Sequence, residues 1–160
     1  VPEGGSGLSG AQGCMDWVAG AREQLAALGW VDYHGWWLAC GTGTSLAGLV
    51  LAEAGEHPVY GVLAVPADHG VAQQVESIVG QAGLCNPRYE LFDGSRGGFA
   101  RVDAELVAFI HATGAIELEP LYTGKALMLL KARVEAGQFA RGTRLIFVHT
   151  GGLQGRRGFE

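Results

Sequence analysis

Apolar runs bounded by glycine or proline alternate along this chain with amphipathic stretches, and that alternation restricts it to βαβ units around a mostly parallel sheet. The pattern predicts a helix over about 11–28, a strand over 36–40 and, after a glycine-rich turn, a helix over about 45–54. A strand over 59–65 and a helix over about 70–82 follow, then a short strand over 89–92 and a helix over about 102–112. The last pair is a helix over 124–136, with Ala126, Leu127, Leu130 and Val134 on one face, and a buried strand over 144–148 that runs into His149-Thr150-Gly151-Gly152. No internal repeat or linker interrupts the pattern. The expectation is therefore a single α/β unit, a twisted, mostly parallel sheet with flanking helices.

With 160 residues the chain is long enough to bury one core. A net charge of −5, with 11 Lys and Arg, argues against nucleic acid as a partner, because neutralising phosphates needs a clustered basic surface. The Arg156-Arg157 pair reads as a solvated tail. The best apolar run, Leu46 to Ala52, is too short to cross a bilayer, so no membrane partner is expected either. The opening Val1-Pro2-Glu3-Gly4-Gly5-Ser6 has neither a charged nor an apolar leader region and reads as a chain entered midway, with a cytoplasmic location expected. Cys14, Cys40 and Cys85 contain no C-x-x-C pair and imply neither a disulfide framework nor a zinc site; buried thiols in a reducing compartment are expected. His34, His57, His69, His111 and His149 show no metal-ligand spacing, so no metal site is expected.

Three stretches carry chemistry. Cys40-Gly41-Thr42-Gly43-Thr44-Ser45-Leu46 runs from a strand into a helix, where glycines let the backbone approach an anion and the helix start adds partial positive charge. Thr42, Thr44 and Ser45 add hydroxyls. A P-loop would need a terminal Gly-Lys-Ser/Thr and a dinucleotide fingerprint a glycine at Leu46, and neither is present. The plain alternative is a tight turn whose glycines serve packing alone. In Glu119-Pro120-Leu121-Tyr122-Thr123-Gly124-Lys125 the proline closes one segment and Gly124 opens a helix. A buried tyrosine and a helix cap are the plain readings of Tyr122 and Thr123. The third stretch, His149-Thr150-Gly151-Gly152, ends the last strand, where parallel sheets place ligand contacts.

Together with the opening Pro2-Glu3-Gly4-Gly5-Ser6, these stretches resemble, in content and order, the D-cysteine desulfhydrase and 1-aminocyclopropane-1-carboxylate deaminase family of fold-type II pyridoxal-phosphate enzymes. The resemblance covers nearly the whole chain but only the C-terminal half of a typical member. It implies the C-terminal part of a tryptophan synthase beta-like cofactor domain, pyridoxal 5′-phosphate as cofactor, a small amino acid as substrate and a homodimer when intact. Gly41, Thr42, Gly43, Thr44 and Ser45 would bind cofactor together with Thr123 and Thr150. Gly151 would touch substrate, and Tyr122 would act as acid, base or positioning group. The family's Gly-Asn-Lys segment, whose lysine forms the Schiff base, has no counterpart here. Lys125 and Lys131 match other places and read as structural, so the chain alone is expected to be inactive.

Within the family, deaminases tend to carry Glu after the motif tyrosine and Leu before the final Gly-Gly, whereas desulfhydrases carry hydroxyls at both. Thr123 and Thr150 therefore favour conversion of D-cysteine to pyruvate, hydrogen sulfide and ammonia over deamination of aminocyclopropane carboxylate. A threonine near the pyridine nitrogen leaves a weaker electron sink than a carboxylate. Phe99 stands where many members have a tyrosine, and Glu119 replaces the usual aspartate. A rival from another class is a non-catalytic remnant that holds a phosphorylated small molecule at the glycine-rich turn.

Overall fold

A computed structural model describes residues 2–158. Four strands, β1 Gly35–Cys40, β2 Val59–Leu63, β3 Tyr89–Asp93 and β4 Leu145–Val148, form one sheet in the order β3-β2-β1-β4. Every pairing is parallel; in register, Trp36 lies opposite Val59 on one side and Ile146 on the other. The helices are α1 Leu8–Gln12, α2 Asp16–Ala27, α3 Thr44–Glu53, α4 Val71–Gln81, α5 Ala104–Thr113 and α6 Thr123–Glu135. Short 3-10 segments cover Glu3–Gly5, Ala67–His69 and Leu153–Gly158.

Alternation of side chains along β1 separates two cores. Trp36, Leu38 and Cys40 face a cluster with Leu46, Leu49 and Val50 of α3 and with Val75, Ile78 and Val79 of α4. Trp37 faces the other way, against Val62, Phe92 and Ala126 of α6, and its indole N–H donates to the Ala126 carbonyl at 2.9 Å. Outside α6, Leu106 and Ile110 of α5 pack with Leu118 into a third cluster. The expected parallel α/β architecture is thus present, with strand boundaries within two residues of those predicted.

Three expectations need correction. The helix predicted over 11–28 is two helices, because the chain tightens at Cys14, whose N–H donates to Ala11 O at 2.9 Å, and at Met15, whose N–H donates to Gln12 O at 3.1 Å. There α1 meets α3 so closely that a Cβ on Gly48 would lie 2.3 Å from Ala11 O. Strand β4 is half-buried rather than buried, since among the described residues it pairs with β1 alone and sits at the sheet edge. Of the thiols only Cys40 is buried, and burial pushes its pKa up to about 12; Cys14 is half-buried and Cys85 exposed.

At the end of the sheet where β1 begins, Glu53 of α3 gathers a polar node. The residue is 2% exposed, and its carboxylate accepts from the Tyr33 hydroxyl, from Trp36 Nε1 at 2.6 Å and from Arg22 at 3.0 Å, with His57 Nδ1 at 2.8 Å. His57 Nε2 lies 3.2 Å from Asp32, and Arg22 also binds Glu56 at 2.7 Å. Ligand atoms of Glu53, Glu56 and His57, at i, i+3 and i+4 across the end of α3, lie within 4.8 Å of one another, and the Arg22 guanidinium bridges the two carboxylates. Burial pushes the Glu53 carboxyl up, but the bonds from Tyr33, Trp36 and His57 together hold it below its ordinary value of 4.5. A carboxyl depressed on folding contributes stability that is present above its unfolded pKa and lost as pH falls through the folded one. Acid unfolding followed by circular dichroism should therefore begin below about pH 4.5 and be less steep in Glu53→Gln. At neutral pH, Glu53→Ala should lower stability by roughly 3 kcal/mol, because it leaves several buried donors without an acceptor.

Candidate functional site

Because all four strands are parallel, their C-terminal ends share one edge, and the three stretches singled out in the sequence emerge there or beside it. A cleft of about 450 Å³ opens at this edge. Gly41 and Thr42 form one side, with Glu3 and Ser6 of the opening segment next to them. The exit of β2 and the start of α4 contribute Val65, His69, Gly70, Val71 and Gln74, and Phe99 and Tyr122 complete the wall.

The strand-to-helix turn is shaped by two glycines. Gly43 adopts φ 81°, a left-handed conformation that other residues enter at a cost, and a Cβ there would lie 2.6 Å from Val75 Cγ2. At Gly41 a Cβ would lie 3.3 Å from Tyr122 Cε1 and 3.7 Å from its hydroxyl, so the ring of the second stretch rests on the backbone of the first. The opening segment packs there too: a Cβ on Gly4 would be 2.8 Å from Thr42 Cγ2. Among the described residues no protein acceptor takes the N–H groups of Thr42, Gly43, Thr44 and Ser45, which stand at the start of α3. Such a set of main-chain donors at a helix N-terminus suits a phosphomonoester without any cationic side chain. The Thr42 and Thr44 hydroxyls lie 2.9 Å apart, Thr44 is buried, and Ser45 Oγ lies 3.7 Å from the Cys14 thiol. This turn fits the phosphate of a cofactor such as pyridoxal 5′-phosphate.

Tyr122 ends the segment before α6. Burial first, and then the negative charges of Glu119 and Glu3, raise its pKa above the ordinary tyrosine value. At neutral pH it is a neutral phenol able to donate a proton or a hydrogen bond into the cleft. Thr123 is placed differently. It is 1% exposed, outside the cleft lining, and its hydroxyl lies 3.1 Å from Glu119 Oε1 and 3.1 Å from the Glu119 N–H. Glu119, itself 2% exposed, accepts from the N–H groups of Leu121, Tyr122 and Thr123 at 2.6–2.8 Å and so caps α6. An acidic residue just before a helix start is a sequence signal for this capping role, and it sets the orientation of Tyr122. Thr150 is exposed and Gly151 partly so, with the Gly151 N–H donating to His149 Nδ1 at 3.1 Å; both stand outside the cleft lining. The cleft thus unites Gly41, Thr42 and Tyr122, with Gly43, Thr44 and Ser45 directly behind.

Nothing in the sequence singles out His69 and Gln74 as lining residues, because they reach the cleft from the segment after β2 and from α4 with no motif of their own, and Glu3 and Ser6 stand in the opening stretch without an assigned role. His69 lies next to Asp68, its Nδ1 3.1 Å from the carboxylate. The chain's two lysines do not line the cleft: Lys125 donates to loop carbonyls, and exposed Lys131 pairs with Glu135. Substituting Gly43→Ala should cost about 2 kcal/mol in thermal unfolding through the forced left-handed φ and the contact with Val75.

No family model matches the sequence. The chain is 28% identical, over 97% of its length, to a protein of Pyrococcus furiosus named "Putative 1-aminocyclopropane-1-carboxylate deaminase", and 29% identical, again over 97%, to one of the same name from Pyrococcus abyssi. It covers 50% of each, so it spans about half the length of these curated relatives. A solved structure described as an ACC deaminase homologue superposes with a TM-score of 0.79 at 26% identity, over 98% of this chain and 50% of that one. Over nearly its whole length the chain is thus similar, in sequence and in fold, to the 1-aminocyclopropane-1-carboxylate deaminase family that its loops resemble.

Proposed function

We propose that this chain supplies the phosphate cup and one wall of the ring pocket of a pyridoxal-phosphate lyase whose substrate is D-cysteine, converted with water to pyruvate, hydrogen sulfide and ammonia. The observation that carries the cofactor reading is the turn at 41–45, where four main-chain N–H groups without an acceptor among the described residues meet neighbouring hydroxyls at the mouth of a cleft. Bound there, the cofactor would supply an electron sink for the carbanion formed at the substrate α-carbon. The chain's own residues would hold the phosphate through the N–H groups of 42–45, cover the pocket with Phe99, and keep a proton on Tyr122 Oη. The amine that binds the cofactor covalently would come from outside residues 1–160, since Lys125 and Lys131 are engaged elsewhere. The residues thus form the C-terminal part of a larger cofactor domain, and the complete enzyme is a cytoplasmic homodimer.

The choice of D-cysteine rests on the hydroxyls of Thr123 and Thr150 at places where the related deaminases tend to carry Glu and Leu. This part of the reading rests on the family resemblance alone, by which both residues would serve the cofactor and Gly151 the substrate, the Thr123 hydroxyl having first to leave Glu119. The names of the Pyrococcus relatives favour a second reading, deamination of aminocyclopropane carboxylate by the same apparatus.

Calorimetric titration of the chain separates the readings. Pyridoxal 5′-phosphate should bind, inorganic phosphate should compete with it, and pyridoxal should bind far more weakly; the double variant Thr42→Val, Thr44→Val should lose about tenfold in affinity. Indifference to the phosphate group would end the cofactor reading. In the complete enzyme, sulfide release from D-cysteine is expected. Ammonia release from aminocyclopropane carboxylate without sulfide would transfer the assignment to the deaminase, and phosphate-dependent binding with neither product would leave a non-catalytic binding protein.

A further inference from the structure

Beside Tyr122, the part of the cleft wall that carries Phe99 is a loop, and one buried cation shapes it. Residues 95–99 leave β3 toward α5 through two consecutive left-handed residues, Arg96 at φ 56° and Gly97 at φ 85°. The Gly98 N–H closes the turn onto Ser95 O at 3.1 Å. A segment bent this way turns its carbonyls inward, and three of them converge on the ammonium of Lys125: Ser95 O at 3.2 Å, Gly98 O at 3.1 Å and Phe99 O at 2.8 Å. Lys125 is 2% exposed, in the first turn of α6, three residues after Tyr122. Its three donors thus go to main-chain oxygens, an arrangement closer to a bound cation than to a surface lysine. From the outer side Arg96 fastens the same loop to the start of α5, binding Asp103 and Glu105 at 2.6 Å each.

The loop delivers Phe99 to the cleft, where its ring stands edge-on to Tyr122 at 5.4 Å and 61°. We propose that Lys125 is a positioning residue of the cleft: by gathering the carbonyls of Ser95, Gly98 and Phe99 it holds Phe99 against Tyr122 and so sets the pocket's closed wall. Both ends of the Phe99–Tyr122 contact are then referred to one helix turn, since Tyr122 precedes α6 directly and Phe99 is tied to it through the ammonium. Burial disfavours the charge on Lys125, whose pKa is lowered, and Glu119 acts the other way. An uncharged side chain of equal length would relieve that cost but leave three carbonyls without their donor, so the contribution of the ammonium is concentrated in the loop it gathers.

The proposal rests on the assigned phosphate-binding role of the cleft only in its ligand arm, and the loop arm is read without ligand. Trypsin reports on the loop through Arg96 and Arg101, and hydrogen exchange through the amides of 97–101. Lys125→Met should raise cleavage there and lower protection about tenfold, with the amides of β1 and β2 unchanged, while Lys131→Met on the exposed face of α6 changes neither. Affinity for pyridoxal 5′-phosphate should fall about tenfold in Lys125→Met and in Phe99→Ala, the latter with the loop still protected. Protection that is unchanged in Lys125→Met, or lost equally throughout the sheet, overturns the proposal. Should that variant not fold, the wild-type chain decides: with two lysines in the sequence, the Lys125 ammonium protons should exchange slowly and couple to the carbonyls of 95, 98 and 99 in NMR spectra. Exchange as fast as that of Lys131 would overturn it. If the wild-type chain binds no phosphorylated ligand, the functional reading fails and the loop arm still judges Lys125.

Discussion

Strand β1 is hydrogen-bonded on both edges and covered on both faces, and its burial ties the two helical layers to a single plane. Trp36 and Trp37, adjacent in sequence, point into opposite cores, so a one-residue slip of β1 would exchange the two interiors at once. The Trp36 N–H ends on Glu53 of α3 and the Trp37 N–H on the Ala126 carbonyl of α6, which turns each indole into a polar as well as an apolar tether. Through these tethers the C-terminal end of α3 and the first turn of α6 are held at fixed offsets from the same strand, whose own end runs into the glycine-rich turn, while Tyr122 directly precedes α6.

The cleft follows from that offset. Its glycine-rich side is main chain, made from the end of a strand and the start of a helix, with no lysine or arginine among the described residues that line it. Its other wall is side chain, made of Phe99 and Tyr122. The division is physically economical: main-chain donors fixed by a helix need no ordering of long flexible side chains, whereas an aromatic wall can change its chemistry by single substitutions without disturbing the phosphate end. The buried carboxylate of Glu119 and the buried ammonium of Lys125 belong to neither wall directly. One orients the α6 start and the other the loop before α5.

Much of this is legible in the sequence because it is local. The alternation of apolar runs gives the strands, and Gly41 and Gly43 mark the turn, since each is demanded by a close neighbour or a left-handed φ. What is not legible depends on contacts distant in sequence. The break between α1 and α2 lies where Gly48, more than thirty residues later, packs against Ala11 and Cys14. The edge position of β4 depends on which strands pair, which its hydrophobicity cannot reveal. The Glu53 node joins Arg22, Asp32, Tyr33, Trp36 and His57, whose spacing matches no motif. In the same way Thr123 reads as a ligand contact by family position, while the packing shows its hydroxyl occupied by Glu119.

The neighbouring tryptophans also give the molecule a two-channel optical readout. Trp36 carries a carboxylate on its ring nitrogen and the edge of Tyr33 at 5.5 Å, whereas Trp37 stacks on Phe92 at 5.3 Å and meets Phe139 edge-on. With Trp17 and Trp30 replaced, so that these two indoles are the ones left, their different surroundings give near-ultraviolet signals that each report on one layer. If the layer of α3 and α4 melts before that of α6, the two bands will fade at different temperatures; if the sheet cooperates across its full thickness, they will vanish together.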